Sequence, residues 1–350
     1  MLAALPLLLA SAALSASPAD QLGWHVDATD APRWYVESDV VLPQFLWFNA
    51  DFNKQARVRT FQVRMVLDCA DVRDKARATR LDCTITDAAL GGVTFKSERG
   101  KLQPVLEELD DKLTDARLQV VITDRGRVRA VRLKNAFVHD QRNRRINEMN
   151  EVLRLVAVRA LAGFDLVMPH DGNRSGEQWV QHTDLIYGAP SLSGVRGSVS
   201  VVHQAEALDG QQVRVKTEGR GTMIPGPQAL GENIYMGTIE AQGVFDAERG
   251  LLAERQWSMA ATPTPSSPLA QGWAGMPYAQ RGQLRLLAPG EAVDVGATRE
   301  WTPSTELPPT TLQRRAPFAW SDPGIQSLWG TTVVDAPETP RGPAQDVFDW

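Results

Sequence analysis

The sequence predicts a mainly β fold, a β-rich α+β arrangement with about eleven antiparallel strands in one large curved sheet or half-barrel and two internal helices. Three observations carry that expectation. Long runs alternate apolar and polar residues, as at Phe61, Val63, Met65 and Leu67, and a period of two gives each strand one apolar face. Turn signals separate these runs, most plainly Asp209-Gly210 and Asp246-Ala-Glu-Arg-Gly250, which are hairpin chemistry. Only two internal stretches space their apolar residues as helices do.

In chain order, Leu2 to Leu14 is an apolar run broken by Pro6 and Ser11, and small residues follow from Ser15 to Ala19. This stretch is too short to cross a bilayer and reads as a signal peptide over residues 1–19, cleaved to leave Asp20 first. It lacks the usual basic residue ahead of the apolar run. Trp34 to Phe48 is strand-like and aromatic-rich, with Pro43 marking an edge or a bend. Cys69 continues the alternation of Phe61 to Leu67, and Cys83 falls in step with Leu81 and Ile85. Both thiols then point to the apolar face of neighbouring strands, where a cross-strand disulfide can form. Closing so short a loop stabilises by about 3 kcal/mol. In a chain that is not exported the pair would instead be two inert buried thiols.

A short amphipathic helix is expected from about Pro104 to Asp115, with Val105, Leu106, Leu109 and Leu113 on one face. A hairpin follows through Leu118, Val120 and Ile122, the turn Asp124-Arg-Gly-Arg127, and Val128, Val131 and Leu133. The strongest helical pattern spans 142–162 and stops at Gly163, with Ile146, Met149, Leu153, Val156 and Ala160 in one stripe. Its arginines lie mostly on the other side, as a solvated basic face does. After Pro169 the pattern is almost purely β: Gln178 to Ile186, Gly197 to Leu208, Gln211 to Met223, Asn233 to Phe245, Leu251 to Ala261 and Gln280 to Leu287. Gly219-Arg-Gly221 lies inside one of these strands and reads as a bend that curvature requires. Pro263 to Tyr278 is a long loop, and the chain from Pro289 is Pro-rich and without period.

The expected organisation is a signal peptide (1–19), a β-rich domain (20–288) whose halves 20–140 and 165–288 are joined by the helix 142–162, and an irregular tail (289–350). The 350 residues are 43% hydrophobic and 23% charged with a net charge of −5. That balance gives a sizeable core and no basic surface for nucleic acid. No later segment reaches transmembrane length, so an integral membrane protein is not expected.

Catalytic signatures are absent: the chain has no GxSxG, SxxK or HExxH sequence. The five histidines include His170 beside Asp171, and His182 two residues from Asp184. The latter pair shares one strand face. A metal site needs three or four ligands with support behind them, so no metal and no cofactor is expected. His170 and His182 are the only motivation for reading the chain as a hydrolase.

The strand number, the internal helices and long hairpins such as Asn233 to Ala261 resemble the periplasmic lipoprotein-carrier fold and related lipid-binding half-barrels of bacteria. Gly176-Glu-Gln-Trp179 and Gly243-Val-Phe-Asp246 are similar to turns of bacterial exported β proteins. The resemblance covers about residues 30 to 287 and implies helices seated on a concave sheet face. No helix precedes the first strand here, as it does in the carriers.

These readings converge on a periplasmic or secreted, non-enzymatic binding protein that shelters an apolar ligand such as a lipid or acyl chain. The expected lining is Ile146, Met149, Leu153 and Val156 on the helix, with Trp179 and Trp257 on strands. Each of the six would serve equally as ordinary core. The alternative is an envelope assembly factor that meets a protein partner through its aromatic, Pro-rich tail.

Overall fold

The computed structural model describes residues 17–26, 31–51, 54–75, 78–94, 99–134, 160–169, 174–175, 177–187, 195–208, 211–225, 235–263 and 278–296. The expected signal peptide up to residue 16, Ile146, Met149, Leu153 and Val156 of the long helix, the loop 264–277 and the tail beyond Gly296 lie outside them.

The alternating runs form β1 (Arg33–Asp51), β2 (Lys54–Lys75) and β3 (Ala78–Thr94), followed by helix α1 (Arg99–Leu113), then β4 (Arg117–Thr123) and β5 (Val128–Lys134). Beyond residues 160–169 come β6 (Arg174–Ser175), β7 (Gln178–Tyr187), β8 (Val195–Ala207) and β9 (Gln212–Pro225). The last three are β10 (Tyr235–Asp246), β11 (Leu251–Pro263) and β12 (Tyr278–Leu286). All belong to one antiparallel sheet in the order β5-β4-β3-β2-β1-β12-β11-β10-β9-β8-β7-β6. The mainly β expectation holds, with the two-residue β6 added to the expected strands. The first and last long strands meet at the middle of the sheet, and its edges, β5 and β6, are neighbours in sequence. No ladder joins these edges among the described residues, so the sheet is open and not a barrel.

Irregular pairings fall where the sequence forces them. The β1–β2 register skips between Val41 and Leu46, around Pro43, which has no N–H to give a ladder. On β2 the register shifts between Asp68 and Asp71, so Cys69 and Ala70 together face Cys83 on β3. Alternation already places Cys69 on the apolar face, the bulge sets it against Cys83, and the two sulfurs form a disulfide.

Helix α1 starts at Arg99, upstream of the expected Pro104, which therefore lies inside it. Leu106, Leu109 and Leu113 are buried, while Glu107, Asp111 and Lys112 are exposed. The helix ends where Asp115 takes a left-handed φ of 66°. The Asp115 N–H donates to Ile85 O at 2.7 Å, and Ile85 N–H donates to Ala116 O at 2.9 Å. The chain leaving the helix is thus already an extension of β4 along β3. Asp110 ties the helix to the same strand, its Oδ1 accepting the Leu90 N–H at 2.6 Å. Burial pushes its carboxyl up to about 7, against the opposing pull of the Leu90 hydrogen bond.

Two hydrogen bonds establish that the sheet curls. The Trp179 Nε1–H on β7 donates to Val167 O at 3.1 Å. The next residue, Met168, donates its N–H to Arg125 O in the β4–β5 turn at 2.7 Å. In a flat sheet β4 and β7 would stand nine strand steps apart, about 43 Å. One short segment touches both, so the sheet wraps around it. The enclosed face carries one buried apolar cluster that runs from Leu118 and Ile122 on β4 to Trp179 on β7.

The opposite face is polar at its centre. Tyr35 OH and Gln283 Nε2 donate to Glu37 Oε2 at 2.9 and 3.0 Å, and Arg281 Nε lies 2.9 Å from Asp39 Oδ2. After β12 the chain returns over this face, where Leu287 and Val295 pack with Val66, Tyr35 and Ala89 in a small second cluster.

Candidate functional site on the concave face

Registers on the β7–β12 side, broken only by a shift between Val244 and Phe245, line up side chains across several strands. Directly opposed residues of an antiparallel pair share a face. One row runs Trp179, His203, Thr217, Ala241, Trp257, Gly282, Ser38. The next runs Gln181, Val201, Gly219, Ile239, Met259, Gln280. Trp179 and Trp257, both expected from the sequence as lining residues, therefore lie on one row of the concave face, and both are buried.

The row is more polar than its alternation shows. His203 is 3% exposed and stacks on Trp179, with ring centroids 5.0 Å apart and planes at 17°. Its Nδ1 is 3.0 Å from Thr217 Oγ1. Burial, helped by the charge of Arg255, lowers its pKa to about 3, so the imidazole stays neutral. Arg255 itself is buried, and burial lowers its pKa to about 10 against the attraction of Asp165. Its Nη1 donates to Gly163 O at 3.2 Å and to Asp165 O at 2.5 Å. A fixed cation thus holds the segment 160–168 against the sheet from below.

Trp257 holds the same segment by shape. A Cβ added at Gly163 would stand 2.3 Å from Trp257 Cζ3, and one added at Gly282 would stand 2.3 Å from Trp257 Cζ2. Only glycine at both positions leaves room for the benzo edge of the indole between them. At Gly219-Arg-Gly221, where a bend was expected, both ladders run without a shift, and the glycine at 221 serves space instead, because a Cβ there would meet Ser198 O at 2.2 Å.

Among the described residues, the cover of this face comes in short pieces. Besides 160–168, Trp24 packs edge-on against Phe245 at 5.8 Å, and His25 N–H donates to Gly250 O at 3.1 Å. Helix α1 seals the β1–β3 side. Among the described residues no three His, Cys, Asp or Glu side chains are grouped to hold a metal ion. His182 is exposed, with Nδ1 3.1 Å from Ser200 Oγ on the outer face. It is therefore remote from His203 and Arg255 in direction, if not in sequence; His170 is outside the described residues.

His203, Gln181 and Arg255 were not singled out by sequence reasoning. The β8–β9 register places His203 opposite Thr217. A count from a two-residue turn at Asp209-Gly210 would have paired it with Lys216, so the buried contact needed the register itself.

No helix of the described residues is long and apolar enough to cross a membrane. The disulfide fits a chain that matures in an oxidising compartment. No protein-family model matches the chain, and no curated protein matches it. Among solved structures it is similar to a chain of lipovitellin, determined in work on lipid–protein interactions in lipovitellin, with a TM-score of 0.39 and 9% identity. The match covers 75% of this chain and 26% of that one, so the chain spans about a quarter of its neighbour's length. No carrier family is identified.

Proposed function

We propose that this chain is an exported, non-enzymatic binding protein that shelters an apolar ligand, a lipid or acyl chain, against its concave face. One observation carries the reading. The apolar face runs from β4 to β7, yet on the β7–β12 side its described cover is two short segments and not a second sheet. A sheet face of that extent must be kept from water. Short segments held by a few directed contacts can be displaced by a ligand of matching polarity without breaking the ladders. Export follows from the apolar N-terminal run and from the disulfide.

Native mass spectrometry of the protein purified from an exporting host, followed by organic extraction, tests this. The expected result is a co-purified lipid at defined stoichiometry, or capture of one after incubation with phosphatidylethanolamine–phosphatidylglycerol vesicles. A chain that stays free of lipid under both conditions would overturn the proposal.

A further inference from the structure

The concave face carries buried donors that lack acceptors. Among the described residues, Trp257 Nε1 and Gln181 Nε2 have no hydrogen-bond partner, although the two residues are only 4% and 8% exposed. An indole nitrogen and an amide –NH2 can only donate. Buried polar groups are partnered in the great majority of cases, so an orphan points to an occupant. His203 Nε2 is orphaned on the same face.

The two donors lie on adjacent rows, with Val201, Ile239 and Met259 buried around them. Trp257 cannot turn to find an acceptor, because its benzo edge is wedged between Gly163 and Gly282. The wedge fixes the ring and leaves the pyrrole N–H buried without an acceptor. Arg255, on the neighbouring row, already donates to two backbone carbonyls and supplies a buried positive charge without offering an acceptor.

Resting on the shelter reading, we propose that Trp257 selects the head of the sheltered ligand: an acyl group whose carbonyl oxygen, from an ester or a carboxyl, accepts the indole N–H. The chemistry disfavours two other kinds of head. An ammonium head would sit beside the Arg255 cation and is repelled. A plain hydrocarbon leaves the N–H unmet.

The test compares three probes delivered from cyclodextrin to the full chain: methyl palmitate, palmitic acid, and n-octadecane, which matches the ester in length without its oxygens. The expected result is that wild type binds methyl palmitate about tenfold more tightly than octadecane. In Trp257→Phe, which keeps an aromatic ring and loses the donor, that ratio falls to about one. The palmitic acid arm separates the sources, since tighter binding than the ester assigns a free acid and weaker binding assigns an ester.

Equal binding of ester and octadecane by wild type overturns head selection and leaves the shelter reading standing. So does a preference that survives in Trp257→Phe. Failure of all three probes overturns the shelter reading itself. If the phenylalanine variant does not fold, the indole N–H spectrum of wild type decides: a resonance moved downfield by the ester and not by octadecane supports the proposal, and none so moved overturns it.

Discussion

The two wings of the sheet are built on opposite plans. From β1 to β5 the ladders are interrupted, with shifts around Pro43 and at Cys69-Ala70, and the wing carries the disulfide. Its cover, α1, lies between β3 and β4 in sequence and bonds back to β3 through Asp110 and Asp115. From β7 to β12 the registers run almost unbroken, and among the described residues the cover arrives from elsewhere in the chain as 160–168 and the strip around Trp24. The first wing is sealed by its own local sequence, whereas the second is closed by segments that directed contacts hold in place. A surface that must admit something belongs on the second.

Substitutions can break this contrast. The largest effect is expected of Leu109→Ala, because Leu109 is fully buried under α1 and its loss leaves a cavity. Stability should fall by about 4 kcal/mol in urea unfolding, with acyl binding by the folded fraction unchanged. A loss of binding at low urea would mean that the wings are not separable.

Gly163→Ala should cost less, about 2 kcal/mol, since the new Cβ collides with Trp257 and with Leu284 Cδ2 and the segment must lift. Amide exchange should accelerate across 160–168 while β2 and β3 stay protected. Uniform acceleration would show that the segment is part of the global core.

Asp110→Asn sharpens the contrast with the smallest effect. Its folded pKa, about 7, lies above the ordinary carboxylate value of 3.8, so the folded chain binds the proton more tightly than the unfolded chain. Wild-type stability should therefore decline as pH rises from about 4 to 7, with the penalty complete above 7. Asparagine keeps an oxygen for the Leu90 N–H and removes the charge. The variant should be more stable than wild type by about 1 kcal/mol at pH 8, after allowing for partial exposure, and equal to it at pH 4. Parallel curves for the two proteins would show that Asp110 does not titrate in this range.

Much of this was legible in the sequence, for identifiable reasons. The strands from Gln178 to Leu287 have a strict period of two and clear turns, so their existence and order follow from residues alone. The alternation of Met65 and Leu67 placed Cys69 inward, but the bulge that seats it against Cys83 needed the register. The start of α1 was misjudged because Pro104 looks like a first-turn proline, whereas the apolar stripe sets which face docks and not where the helix begins. Alternation puts Trp179 and Trp257 on the inward face, but does not tell which of their polar atoms lacks a partner. A hydrogen bond that is not made leaves no mark in a sequence pattern.

The meeting of β4 and β7 on Val167 and Met168 has one more consequence. In a closed barrel, strand number and stagger fix the radius, and the interior volume follows from them. Here the segment 160–168 spans the gap where a ladder would otherwise run, tied to β4–β5 through Arg125 O and Val128 N–H and to the far wing through Trp179 and Arg255. The girth of the molecule is set by a clasp and not by a count of strands. If the proposed shelter reading holds, a longer or bulkier cargo would be taken in by displacing the clasp, with every ladder between β5 and β6 left intact.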